Sequence, residues 1–283
     1  MTKKHFILAD GHVHLYKFFS LNELLNSAWR NFENAFRKDN KESHFDGVLF
    51  LAETAESNGF FRLKQEIDRK NDENESDRLQ WKLFLTSEDE CLKAARGGQQ
   101  GIFIIAGRQI TTVENLEVLA LGTTHNFEDG RPLEKAIDQI VEHGAIAVIP
   151  WGVGKWLGKR GRLLTEFILK NEGLNLFLGD NGGRPLFWSS ISQFKLAAEK
   201  GIKILRGTDP LPMRQEVRRP GNFGFMIPES LNQSTPSFHL KQLLTDGNVD
   251  LINYGKFENP FRFFKNQSFL RKKIGKKKIE ANR

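Results

Sequence analysis

One cysteine, Cys91, stands among 283 residues, so no internal disulfide forms and the stapled frameworks of small secreted proteins are excluded. Nor is there an apolar run of the ~20 residues that a membrane-crossing helix needs. The opening segment, MTKKHFILADGHVHLY, lacks the apolar core of a secretory signal, and a reducing, cytoplasmic setting is expected. No linker divides the chain. With 39% hydrophobic and 27% charged residues, disordered and collagen-like classes are excluded as well.

The body also lacks net charge. The chain carries 42 Lys and Arg against 35 Asp and Glu, but eight of the basic residues and only one acid, Glu280, lie between Lys265 and Arg283. The remaining 34 basic and 34 acidic residues cancel, so the excess of +7 belongs to the tail alone. The expected division is a body at 1–264 and a basic tail at 265–283. A solvated, frayed terminus is the plain reading of that tail, and weak contact with polyanions the alternative.

Apolar runs bounded by turn residues alternate with stretches of helical spacing. Strands are expected at Phe6–Ala9, Gly47–Ala52, Gly101–Ala106, Leu116–Leu121, Ala145–Ile149, Leu174–Leu178 and Ile202–Leu205, and helices at Leu21–Phe36, Leu133–Val141, Leu163–Leu169 and Ser190–Glu199. Such alternation predicts an α/β fold with a parallel sheet, closed as a distorted barrel. A charge-dense stretch at about 64–90 is expected to be a helical insertion.

The most specific chemical signal is Asp10-Gly11-His12-Val13-His14, just past the first strand. In extended backbone residues i and i+2 point the same way, so His12 and His14 present two imidazoles to one cation, and neutral imidazole suits zinc, manganese or iron. Other candidates sit near strand ends. Glu53 and Asp180 are further metal-ligand candidates, with a helix-entry carboxylate and a turn residue as their respective alternatives. Arg108, Lys155, Lys159, Arg160, Arg184 and Arg206 are candidates for an anionic substrate, and His125 is a spare general acid or base. The glycine-rich loop Trp151–Gly161 is not a P-loop. It offers backbone N–H groups to an anion or serves as a cover.

Asp10–Leu15, Gly107–Thr112 with Leu116–Gly122, and Arg206-Gly207-Thr208-Asp209-Pro210 together resemble the motifs of the polymerase and histidinol phosphatase (PHP) family, in order and spacing, over nearly the whole body. The resemblance implies a distorted TIM-like (β/α)7 barrel, a cluster of divalent metals and hydrolysis of a phosphate ester. It also implies that His12, His14 and Asp209 hold metal. The departures are Thr54, Gln109, Ile149 and Leu211, which stand where the family places ligands. They reduce the expected site to one metal. The leading expectation is therefore a metal-dependent hydrolase of the phosphoesterase type, acting on a small phosphorylated or anionic molecule. A binding or scaffold module that has lost its chemistry is the second, and a TatD-like nuclease the third.

Overall fold

The computed structural model describes residues 4–37, 44–70, 81–97, 101–171 and 176–281. Its strands are β1 (His5–Val13), β2 (His44–Leu51), β3 (Lys82–Leu85), β4 (Cys91–Ala95), β5 (Gly101–Ile105), β6 (Gly107–Thr111), β7 (Glu117–Leu121), β8 (Ile146–Pro150), β9 (Leu176–Asn181), β10 (Ile204–Gly207), β11 (Gly224–Ile227) and β12 (Ile252–Tyr254). The helices are α1 (Leu21–Phe36), α2 (Gly59–Lys70), α3 (Leu133–Glu142), α4 (Gly158–Lys170), α5 (Ser192–Glu199), α6 (Pro236–Thr245) and α7 (Pro260–Ala281). Among the described residues no helix is long and apolar enough to cross a membrane.

Local sequence explains the first helix. Ser20 Oγ accepts from the Glu23 N–H at its start, and Leu24, Leu25, Ala28, Phe32 and Phe36 recur every three or four residues on its buried face. The long strands are buried on both faces. Phe6, Leu8, Leu49, Leu51, Ile102 and Ile104 pack with α1 on one side. Their alternates Ile7, Ala9, Val48, Phe50, Phe103 and Ile105 meet Leu119, Leu121, Ile146, Val148 and Phe177 in a second core. A period of two with both sets apolar is what a strand covered on both faces requires. A third core lies under α3, α4 and α5, with Ile137, Ile140, Leu164, Phe167, Ile168 and Ala197.

The closed (β/α)7 barrel is not what forms. The strands make two sheets, one of seven in the order β12-β11-β1-β2-β5-β4-β3 and one of five in the order β10-β9-β8-β7-β6. Antiparallel pairs are frequent: β1 with β11, β4 with β5, β6 with β7 and β7 with β8. The reason is competition for edges. One edge of β1 is taken by β11 through Ile7–Ala9, the other by β2, and the far edge of β2 by β5. No ladder is then left for β10 or β6 to close: the sheets face each other across the second core and exchange backbone hydrogen bonds past the ends of these pairings. There Glu53 and Arg108 form an isolated bridge, and the Asp209 N–H donates to the His12 carbonyl at 2.8 Å.

Within the stretch expected as an insertion, residues 71–80 lie outside the described residues, as do 174–175 of the sixth expected strand. The rest of the insertion holds the second half of α2 and the edge strand β3, which pairs with β4. At the C-terminal end α7 runs across the expected boundary at 264/265, so the start of the basic tail is helical.

Candidate metal centre

The site forms where the two sheets meet, and two glycines make the approach possible. Gly11 lies on β1 and Gly207 ends β10. A Cβ on Gly11 would stand 3.0 Å from the Arg206 carbonyl oxygen, and one on Gly207 only 2.4 Å from the His12 nitrogen. Between them Asp10, fully buried, ties the strands together. Its Oδ1 accepts from the Thr208 N–H at 2.8 Å and the His12 N–H at 3.2 Å, and its Oδ2 from the Thr208 hydroxyl at 2.6 Å and the Gly221 N–H at 2.9 Å. Burial pushes the Asp10 carboxyl up to about 6 despite these four donors.

The pairing of β1 with β2 shifts register between Asp10 and Val13, and the chain emerges with His12 and His14 side by side, their Nε2 atoms 3.1 Å apart. Asp209, in a left-handed conformation (φ 45°), sets Oδ1 at 3.2 Å from His14 Nε2 and 3.6 Å from His12 Nε2. Gln109 Oε1 is 3.3 Å from His12 Nε2. Donors held about 2.1 Å from a tetrahedral cation lie about 3.4 Å from one another, and these four separations bracket that value. One ligand atom each from His12, His14 and Asp209 falls within 4.8 Å of the other two. The donor set of two imidazoles, one carboxylate and a neutral amide oxygen therefore fits a single divalent ion.

Supporting groups hold the donors in place. The Asn181 side-chain N–H donates to Asp209 Oδ2, orienting the carboxylate as outer partners of metal ligands do. Gln109 Nε2 donates to Glu117 Oε1 at 3.1 Å. Because a carboxylate only accepts, this contact fixes the amide with its oxygen toward His12. Glu117 is in turn paired with Lys155. Burial lowers the His12 pKa, with Asp209 only partly offsetting it. For His14 burial works in the same direction, but the Asp209 contact outweighs it and the net shift is upward. Burial alone would raise Asp209, yet His12, His14 and Asn181 together hold it well below the carboxylate range.

The other sequence candidates are placed differently. Glu53 accepts from the Gly59 and Phe60 N–H groups at the start of α2 and from the Ser57 hydroxyl. Asp180 is buried in a two-oxygen contact with Arg184, at 2.7 and 2.8 Å, and lies 3.5 Å from Arg206. Arg184 spends its remaining N–H groups on the Trp188 and Ser189 carbonyls, and Arg206 donates to the Tyr254 carbonyl. Arg108 is buried and donates to the Ser57 carbonyl. Arg160 donates to the Asn115 and Gly154 carbonyls, while Lys159 is exposed. His125 is exposed, with its ring 3.9 Å from that of His143. The loop Trp151–Gly161 borders a cavity of about 120 Å³ lined by Trp151, Trp156, Trp188 and Gln193. Sequence reasoning passed over Asp10, Glu117, Asn181 and Thr208. Asp10 and Thr208 lie inside the motifs that carry the resemblance without being given a role there, but nothing local marks Glu117.

No protein-family model matches the sequence, and no curated protein does. Among solved structures, PsfC from Pseudomonas syringae matches with a TM-score of 0.53 and 13% identity, over 95% of this chain and 99% of that one. At that identity the likeness is one of fold alone. The lesion-specific endonuclease PfuEndoQ from Pyrococcus furiosus follows with a TM-score of 0.48 and 14% identity. An endonuclease Q complex with a 27-mer duplex bearing an abasic lesion gives 0.45 and 11%. This chain spans 59% and 60% of the length of those two. Their scores are too low to rest an argument on.

Proposed function

We propose that this chain is a metal-dependent hydrolase of phosphate esters, divergent from the PHP family, with one divalent cation held by His12, His14 and Asp209 and Gln109 as a neutral fourth contact. The observation that carries the reading is the convergence of the His12, His14 and Asp209 ligand atoms at the spacing of a coordination shell, with Gln109 Oε1 beside His12. Zinc, manganese and iron all suit the donors. When bound, such an ion supplies Lewis-acid polarisation of a phosphoryl oxygen and activation of water. The chain's own residues do the rest. Asp209, oriented by Asn181, keeps its charge on the site. Glu117 holds the Gln109 amide, and Lys155, paired with Glu117 and partly exposed, offers its ammonium to an anionic substrate. Arg184 acts through the frame, its guanidinium held by Asp180 and the Trp188 and Ser189 carbonyls, while Arg108 and Arg206 are each anchored to a backbone carbonyl. His125 lies outside this reading, its ring being tilted against that of His143 at the surface.

A second reading, a binding module without turnover, is favoured by the engagement of the remaining acids, Glu53 with α2 and Asp180 with two arginines. The experiment that separates the two is metal analysis of the purified chain, followed by stripping, reloading with manganese, zinc or iron, and assay on p-nitrophenyl phosphate and its bis-ester. Stoichiometric metal with metal-dependent turnover supports the hydrolase. Metal without turnover on either ester favours the module, and absence of metal overturns the hydrolase. With the buried Cys91, a reducing, cytoplasmic setting belongs to the same proposal.

A further inference from the structure

Away from the metal centre, several large apolar side chains stand exposed together around the start of α7. Leu186, Phe187, Phe261 and Phe264 are between 57% and 87% exposed, and ring contacts link three of the aromatic residues in this region. Phe187 stacks on Phe264 with centroids 5.9 Å apart and planes 14° apart, and both pack edge-on to buried Phe263. Large apolar side chains gathered in the open mark an interaction site more often than chance. The turn Leu186–Trp188 is held to the start of α7 by the Leu186 N–H donating to the Glu258 carbonyl at 3.1 Å. The same face of α7, read every three or four residues, continues through Lys265 and Lys272, with Phe269 and Arg271 at its margins, all exposed. Arg262 is not part of it, being paired with Glu216.

We propose that this face of α7, with the turn before α5, is a docking surface for single-stranded nucleic acid. Charge selects a polyanion, since the whole excess of +7 lies from Lys265 onward while the body is neutral. The arrangement selects the strand over a lipid surface. A helix lying in a membrane interface presents an apolar face opposite a charged one, whereas here rings (Phe261, Phe264, Phe269) and cations (Lys265, Arg271, Lys272) share one exposed face. A single strand offers both counterparts together, bases that stack on rings and phosphates that meet cations. Phe187 is six residues beyond Asn181, the partner of Asp209. It lies therefore no more than about 22 Å from Asn181 along a fully extended chain, so one short strand reaches both.

The test uses the full chain in EDTA, so that its failure leaves the metal-centre reading standing. Fluorescein-labelled (dT)15 is titrated by anisotropy at several salt concentrations, beside a 15-base-pair duplex and vesicles of phosphatidylcholine with 30% phosphatidylserine. The expected result is binding of (dT)15 that weakens with salt, by about 0.7 log units per log unit of salt for each phosphate held. The duplex, its bases already stacked, binds less well. Phe261→Ser, at the most exposed ring and so harmless to the fold, and Phe187→Ser each weaken (dT)15 by about tenfold, with melting temperatures checked alongside. Arg271→Glu with Lys272→Glu lowers the slope of the salt dependence. Equal affinity of wild type and both Phe variants would reduce the surface to a plain basic tail and overturn the proposal. Partition onto vesicles without (dT)15 binding would overturn it in favour of lipid.

Discussion

Gly207→Ala tests the approach of the two sheets on which the site depends. A Cβ there would stand 2.4 Å from the His12 nitrogen, 2.5 Å from the His12 Cβ and 2.9 Å from the Gly11 carbonyl carbon, against an ordinary contact of 3.4 Å or more. The nearest neighbours are backbone or bound tightly to it, so no side-chain rotation relieves the clash and β10 has to withdraw from β1 by about 1 Å, the gap between 2.4 and 3.4 Å. Overpacking of this kind costs about 1–3 kcal/mol, which in a chain of this size lowers the melting temperature by about 2–10 °C. The same shift stretches the 2.8 Å bond from the Asp209 N–H to the His12 carbonyl and moves Asp209 against the imidazoles by several times the ~0.2 Å tolerance of a coordination shell. Metal affinity should then fall by at least about tenfold, as it does when support for a ligand is lost. Calorimetry and competition against a chromogenic zinc chelator measure the two effects, with Gly247→Ala, whose Cβ meets nothing within 4 Å, as the control. A Gly207→Ala protein that melts and binds metal like the control would refute the account of how the sheets build the site.

Three further outcomes are expected. His12→Ala and His14→Ala each remove bound metal while leaving the unfolding transition in place; a full equivalent of metal in either variant would remove that histidine from the donor set. Gln109→Glu sets a second carboxylate beside Glu117, now 3.1 Å from the amide, so the metal-free protein should melt lower and manganese should bind more tightly. A lower melting point with unchanged manganese affinity would show that the carboxylate does not reach the ion. Asp46 is buried with an unbonded Oδ2, and burial, only partly offset by Gln233, His5 and Lys93, raises its pKa. A carboxyl whose folded pKa is raised binds its proton more tightly when folded, so its contribution to stability falls as pH rises above the ordinary carboxylate range and stays low thereafter. Asp46→Asn should flatten that fall, measured by urea unfolding from pH 4 to 7; an unchanged slope would rule out Asp46 as its source.

What could be read from the residues alone was what depends on neighbours in the chain. The 3.6-residue spacing that places Leu24, Leu25, Ala28 and Phe32 on one face predicts α1 to the residue, and the two-residue period predicts that His12 and His14 share a side. Both follow from backbone geometry within a few residues. Edge competition is not local. Gly224–Ile227 carries too short a pattern to announce a strand, yet by pairing with Ile7–Ala9 it occupies the edge on which barrel closure depended. The carboxylates divide in the same way. Asp10, Glu53, Glu117, Asp180 and Asp209 offer one chemistry, and their roles were set by what the fold brought to each. Asp10 met the Thr208 and Gly221 N–H groups, Glu53 the start of α2, Glu117 an amide and a lysine, Asp180 two guanidinium groups, and Asp209 two imidazoles. A buried charge is retained only where partners repay its lost hydration. Except for Arg184, four residues from Asp180, the α2 amides six and seven residues from Glu53, and Gln109, eight residues from Glu117 across the β6–β7 pair, the partners named here come from distant parts of the chain, and only the tertiary structure decides which of them arrive.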